Sequence, residues 1–138
     1  MQSPVIQALA DLEAARARVD RDAARTRDET RAQLVAELLP VLDNLDRSIA
    51  AGGDDAVVEG VRLVRSQLAG VLRNYGLERF DVLGEVFDPR EHEAISVTQV
   101  DNPALDGIVV DQWEPGYRMG NRLLRPARVV VGRQRRPM

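Results

Sequence analysis

The chain has 138 residues, 44% hydrophobic and 30% charged, with 22 acidic side chains against 19 basic ones for a net charge of -3. That composition excludes a chain disordered throughout, offers no apolar run of the roughly 20 residues a membrane helix needs, and opposes phosphate-driven nucleic-acid binding. Cys is absent and all 19 bases are Arg, which rules out disulfides, thiolate metal sites, a Schiff-base lysine and a P-loop lysine. The one His, His92, cannot form a His-rich metal site, so no metal and no cofactor is expected. No secretory signal is visible at the N-terminus, and the expected compartment is the cytoplasm. Aromatics are only 4%, which points to helices packed on helices.

Residues 5 to about 51 read as one long helix, free of Gly and rich in Ala, Leu, Arg, Glu and Gln. At about 1.5 Å per residue it reaches about 70 Å, more than a domain of this size can wrap, so it needs a partner helix. Apolar residues recur in steps of three and four at Val5, Leu9, Leu12, Val19 and Ala23. The seam fades between Ala24 and Gln33, where charge pairs such as Asp28/Arg31 and Arg25/Glu29 take over, and returns at Leu34, Leu38, Val41 or Leu42, Leu45 and Ile49. Pro40 either ends the helix or kinks it; the unbroken apolar spacing on both sides favours a kinked, continuous helix.

Gly52-Gly53 stops that helix, and Asp54 or Asp55 caps a second one from about Ala56 to Tyr75, with Gly76 as its left-handed terminator. Its stripe is Val57, Val61, Val64, Leu68, Val71 or Leu72, and Tyr75. The two helices form an antiparallel pair that buries too little alone, and two copies make a four-helix bundle. Leu34, Leu38, Leu42, Leu45, Ile49, Val57, Val61, Val64 and Leu68 are therefore the expected homodimer interface. Gly60, early in the second helix, costs about 1 kcal/mol relative to Ala; either it is tolerated or another backbone approaches it closely.

From Gly76 onward, Gly and Pro punctuate short β-prone runs at Glu78–Phe80, Ala94–Val100, Gly107–Trp113 and Leu123–Val131. Met119-Gly120-Asn121-Arg122 reads as a two-residue hairpin whose leading Gly suits a type II′ turn. The fold class is α+β: a dimerisation helix over 1–51, a short helix over 54–75, a small antiparallel β domain over 77–133, and a basic tail over 134–138.

Three segments carry a resemblance. Phe87-Asp88-Pro89-Arg90-Glu91-His92-Glu93-Ala94-Ile95 is followed, twenty residues on, by Gly116-Tyr117 and then Leu124-Arg125, Ala127, Val129 and Val131. Upstream stands Leu38-Leu39-Pro40-Val41-Leu42-Asp43-Asn44-Leu45-Asp46-Arg47. Together they resemble the GrpE family, the nucleotide exchange factors of DnaK-type chaperones, over nearly the whole chain from Leu34. The hairpin departs from the family's usual Asn-Gly-Arg order, Pro115 stands where a charged residue is commoner, and the family's long polar N-terminal extension is nearly absent.

The resemblance implies a homodimeric co-chaperone, not an enzyme, with two β domains as wings. One wing and the adjoining helix engage the chaperone's ATPase domain and hold its ADP pocket open. By position, Arg122 is the foremost partner contact, with Met119, Gly120 and Asn121 shaping its turn, and Gly60 matches a family Glu-Gly step. No nucleic-acid or membrane partner and no catalytic residue is implied. Trp113 and Tyr117 are expected to pack the wing, Arg118 and Arg128 to lie on a solvated face, and His92 to stabilise a turn or the core. The alternative is a dimeric coiled-coil scaffold without exchange activity; a nucleic-acid binder using the Arg-rich tail is opposed by the net acidity.

Overall fold

A computed structural model describes residues 3–135. The chain divides after Leu34 into two compact units. The first is helix alone, the opening part of α1 (Pro4–Ala51). Pro4 occupies the first helical position, where its missing N–H costs nothing, and the Ser3 hydroxyl accepts from the Val5 N–H at 3.2 Å. Val5, Ile6, Leu9, Leu12 and Val19 are each more than half exposed. Within one chain, then, the seam along this segment has no cover.

The second unit begins at Val35 with the rest of α1. Helical structure runs unbroken through Pro40, whose ring is exposed. Gly52 and Gly53, both at positive φ, end α1. The Asp54 carboxylate then accepts from the Ala56 N–H at 2.8 Å and starts α2 (Asp55–Asn74). Gly76, at φ +98°, terminates α2, and its N–H donates to the Arg73 carbonyl. These are the expected caps, because each needs only a local residue type. Arg65 on α2 pairs with Asp46 on α1 at 2.6 Å and ties the two helices.

Six strands follow: β1 (Leu77–Phe80), β2 (His92–Val100), β3 (Val109–Glu114), β4 (Gly116–Met119), β5 (Arg122–Arg125) and β6 (Ala127–Gln134). One sheet has the order β1-β4-β5 and is antiparallel throughout. The other has the order β2-β6-β3; β3 pairs antiparallel with β6, but β2 lies parallel to it. The β domain is thus mixed rather than wholly antiparallel. The run Leu123–Val131 is two strands, because Pro126 lacks a ladder donor and lets the chain pass from the first sheet to the second. β6 runs through Gln134, whose N–H donates to Asp106, and residues 136–138 of the basic tail lie outside the described residues.

Two cores result. One joins Val35, Leu39 and Leu42 of α1 to Leu72, Leu77 and Tyr117, seating the antiparallel sheet on the helices. The other, inside the β domain, holds Val82, Val109, Ala127 and Val129 with Phe80 and Phe87 against them. Leu42 is 1% exposed. Its side chain is used up within the protomer, which corrects its assignment to the homodimer interface. The helix phase decides this: neighbours on a helix point about 100° apart, and the 35-39-42 face turns inward while 34, 38 and 41 turn out.

Candidate functional site

The wing hairpin is built from its roots. Met119 pairs with Leu77 on one side and Arg122 on the other, and its side chain packs on the helix-facing core. Gly120 has φ +56°, and no described residue other than Gly has positive φ, so Asn121 is on the negative side. That combination is the type II′ turn expected from the Gly-Asn order. A bulge in the β4–β5 ladder follows directly, with Tyr117 opposite Arg125 and Arg118 opposite Leu123. Gly120, Asn121 and Arg122 are exposed. Among the described residues Arg122 has no acidic partner. Its guanidinium is therefore hydrated and available, on a turn whose base is fixed.

The hairpin is held to the helices by a pair that the sequence pattern does not reveal. Arg125, three residues past the turn, donates two hydrogen bonds to the Asp43 carboxylate on α1, at 2.5 and 2.8 Å, across 82 positions of sequence. Its Nε donates to the Pro115 carbonyl at 3.1 Å, and its guanidinium lies 5.0 Å from the Tyr117 ring centre. Both side chains are less than one-fifth exposed. Burial works against the Arg125 charge, but the Asp43 carboxylate outweighs it and raises the pKa above the ordinary arginine value. A fork-to-fork pair of this kind fixes orientation as well as distance. Tyr117 lies beneath it, 2% exposed, its hydroxyl without a partner among the described residues and its pKa raised by burial.

The Phe87–His92 motif is a turn closure. The Asp88 N–H donates to His92 Nδ1 at 3.0 Å, and the His92 N–H donates back to the Asp88 carbonyl at 2.8 Å. The Asp88 carboxylate accepts from the Arg90 backbone and side chain, which holds its pKa below the usual value. His92 is 4% exposed and tilts against the Phe87 ring. The spacing Asp-x-x-x-His is therefore what places an imidazole acceptor one turn away from a backbone donor. This agrees with the structural reading of His92.

Two expectations for side chains fail. Tyr117 packs the core, but Trp113 is 66% exposed, because the β3 pattern alternates and Trp113 falls on the outward face. Arg118 is not a solvated face residue: it pairs with Glu91 at 3.0 Å and stacks 4.4 Å from the Phe80 ring centre. Arg128 is more open, with loose ion pairs to Glu114 and Glu93 at 3.7 and 3.9 Å.

Gly60 stands apart from the hairpin. A Cβ there meets nothing within 4 Å inside the protomer, so no backbone of the same chain requires the glycine. It lies near the start of α2, about 21 Å by helical rise from the end that joins β1. Of the remaining residues expected at a homodimer interface, Leu34, Val57 and Val64 are more than half exposed and Leu38 is 38% exposed. Leu45, Ile49, Val61 and Leu68 are half-buried. Among the described residues no helix is long and apolar enough to cross a membrane, and no cluster of His, Asp and Glu is arranged to hold a metal.

The sequence profile of the GrpE family matches residues 1–133. Protein GrpE of Stenotrophomonas maltophilia (strain R551-3) is 44% identical over 134 residues, covering 95% of this chain and 77% of that protein. Protein GrpE 2 of Streptomyces avermitilis is 45% identical over 125 residues, 89% of this chain and 61% of that protein. Protein GrpE of Thermus thermophilus (strain ATCC 27634) is 35% identical over 138 residues, 99% of this chain and 76% of that protein.

Proposed function

The chain belongs to the GrpE family, and from that premise we propose that it is a homodimeric, cytoplasmic nucleotide exchange factor for a DnaK-type chaperone. It has no bond chemistry of its own. The wing engages the chaperone's ATPase domain and favours the conformation in which the ADP pocket is open, so ADP leaves. A binding partner shifts such an equilibrium only by its difference in affinity for the two states. Rigidity matters for that task, since a wing that yields transmits none of its binding energy to the domain it holds.

The observation that carries the reading is the exposed, unpaired Arg122 on a turn whose neighbour Arg125 is locked to α1 through Asp43. A planar, permanently charged side chain on a stiff mount suits a central contact. Asn121 and Gly120 set its direction and Met119 anchors it. The exposed stripes Leu34-Leu38 and Val57-Val64 are the homodimer surface, with Leu45, Ile49, Val61 and Leu68 at its margin. Gly60 admits a backbone from a second chain.

The test is release of fluorescent ADP from a DnaK-type chaperone, followed in a stopped-flow instrument. The dimer is expected to accelerate release, and Arg122→Ala to weaken its half-saturating concentration by about thirtyfold, the size of a 2 kcal/mol contact, with the melting curve unchanged. An Arg122→Ala protein as potent as wild type overturns the role of the hairpin. No acceleration at saturating wild-type dimer overturns exchange altogether and favours a scaffold of the same fold.

A further inference from the structure

The second core of the β domain runs on past its cover. Val109 and Val129 are sealed, and Phe87 packs beside them. Further along the same sheet the floor continues through Val131 and Val97, which face each other across the β2–β6 ladder. There the cover has stopped: Val97 is 55% exposed and Val86 is 71% exposed. They line, with Phe87 and Val131, an open groove of about 1240 Å³ whose far rim is Arg133 and Arg135.

Three features of this groove belong together. First, β2 ends the sheet order, so its outer edge carries no strand among the described residues. Natural edges are usually guarded by charge, Pro or a bulge. β2 has a bulge at Ile95, but Ser96-Val97-Thr98-Gln99-Val100 beyond it has neither charge nor Pro, and Ser96 to Gln99 are exposed. Second, neither Arg133 nor Arg135 has an acidic partner among the described residues. Third, the one acid lining the groove, Asp106, is already engaged by the Gln134 N–H at 2.9 Å. An unguarded edge, an apolar floor and a rim of two arginines against one carboxylate thus share one site.

We propose that this groove docks an extended peptide segment that adds to the outer edge of β2 and turns first apolar and then acidic side chains, at every second position, to the groove face. Strands in a sheet lie about 4.8 Å apart, so a segment on β2 is about 10 Å from β6. An arginine side chain on β6 spans most of that distance across β2, and an acidic side chain closes the remainder. Every second side chain of the segment points to the groove face. Apolar ones cover Val97 and Val86, and acidic ones meet Arg133 and Arg135. Main-chain bonds to β2 supply affinity and the apolar and acidic side chains on the groove face supply specificity, the logic of strand addition. A second copy of this chain is a poor occupant, because its own β2 segment 96–100 offers no acidic side chain to Arg133 and Arg135. A single nucleic-acid strand is a poor occupant too, because the one aromatic lining the groove, Phe87, is half-buried and packed on the core rather than open for bases to stack on.

This inference does not rest on chaperone binding: the hairpin belongs to the other sheet, and no nucleotide exchange is read out in its test. The intact protein is titrated against a fluorescein-labelled peptide Glu-Ser-Glu-Ser-Val-Ser-Val-Ser-Glu-Ser-Glu (the Val-Glu peptide), which offers the apolar-then-acidic order in either direction, with its Lys-for-Glu version (the Val-Lys peptide) and oligothymidylate of similar length beside it. Fluorescence anisotropy is expected to show saturable binding of the Val-Glu peptide and binding of the Val-Lys peptide weaker by about tenfold or more. Arg133→Glu with Arg135→Glu, both at exposed positions, is expected to reverse that order. Backbone amides of 96–100 are expected to exchange more slowly with the Val-Glu peptide bound. No binding, equal binding of the two peptides, tighter binding of oligothymidylate, or unchanged amide exchange each overturns the proposal. So does self-association of the wild type that Val97→Glu abolishes.

Discussion

The helix before Leu34 and the β domain use apolar residues in opposite ways. Along the helix, Val5, Ile6, Leu9, Leu12 and Val19 are all open to solvent. In the β domain, Val109, Tyr117, Ala127 and Val129 are all sealed by residues of the same chain. The first region is a helix whose apolar side is covered by nothing in the same chain; the second seals most of its apolar side chains within the chain. α1 belongs to both, and between Leu34 and Leu42 it carries the two behaviours on two faces. The lesson is that a stripe of leucines at helical spacing states how much is to be buried but not against what.

The sharpest way to break this contrast is to truncate one side chain on each face of α1. Leu42→Ala empties a sealed site against Tyr117, Leu72 and Leu77 and is expected to lower the stability of the second unit by about 2–5 kcal/mol. Leu38→Ala removes a side chain that is already 38% exposed. It is expected to leave the wing's unfolding nearly unchanged and to weaken self-association instead. Urea unfolding followed by the methyl signals of Val109 and Val129, beside sedimentation at several concentrations, reads both effects. Equal loss of wing stability in the two variants ends the two-face account.

The β domain's self-sufficiency has its own weak point. A Cβ on Gly116 would sit 2.1 Å from the Phe80 ring, and that ring is itself pinned by Arg118 on its face. Gly116→Ala therefore forces the ring out of its place against the inner core of the β domain. Overpacking of this kind costs about 1–3 kcal/mol. The wing's melting temperature is expected to fall while helix content at low temperature stays constant. Gly60→Ala is the control: open space surrounds that position, and the substitution is expected to leave the wing untouched.

Whatever depends on a few neighbouring residues was legible in the sequence. Asp54, Gly76 and the Gly120-Asn121 turn act through bonds no more than four residues long, and all three stand where they were expected. The passage of α1 through Pro40 was legible from apolar spacing on both sides. Pairings across long separations were hidden. The parallel register of β2 on β6 joins His92 to Ala127, and nothing in either strand's composition marks its direction. Asp43–Arg125 joins two ordinary charged residues from distant elements. Trp113 was assigned to the core because it lies in a strand-like run, whereas the alternation of β3 puts it outside. The hairpin's proposed role in partner binding comes only from the family resemblance, since an exposed Arg in a turn has no distinctive pattern.

A subtler sharpening comes from dilution. If the helix before Leu34 is completed only by a second chain, its melting depends on protein concentration while that of the β domain does not. Each tenfold dilution removes about 1.4 kcal/mol from the dimer. Its poor seam between Ala24 and Gln33 adds to the expectation that it melts first. Trp113 is a poor reporter for the second event, being exposed; the buried Tyr117 ring in the near ultraviolet is the better one. Circular dichroism at 222 nm is expected to show an early, concentration-dependent step, and the Tyr117 signal a later step that does not move. A single coincident transition at every concentration removes the distinction between the regions.

The smallest expected effect is acid sensitivity confined to the β domain. Asp81 accepts from Arg79 and from Gln112 Nε2 at 2.7 Å, while the Gln112 carbonyl accepts from the Val82 N–H at 2.9 Å. The carboxylate thus braces the loop that covers the inner core. The Arg79 bond chiefly, with Gln112 helping against some burial, holds the Asp81 pKa below its ordinary value of 3.8. A carboxyl depressed on folding stabilises the fold fully above its unfolded pKa, and that contribution is lost as pH falls through the folded value. The loss therefore lies below about pH 4 and is absent at neutrality. Because both side chains are about half exposed, solvent keeps the contribution small. In an acid series, wild type is expected to lose wing stability slightly more steeply than Asp81→Asn below that pH, with the helix signal the same in both. Identical slopes place the acid response elsewhere, and a steeper slope in Asp81→Asn reverses the sign assigned to this carboxylate.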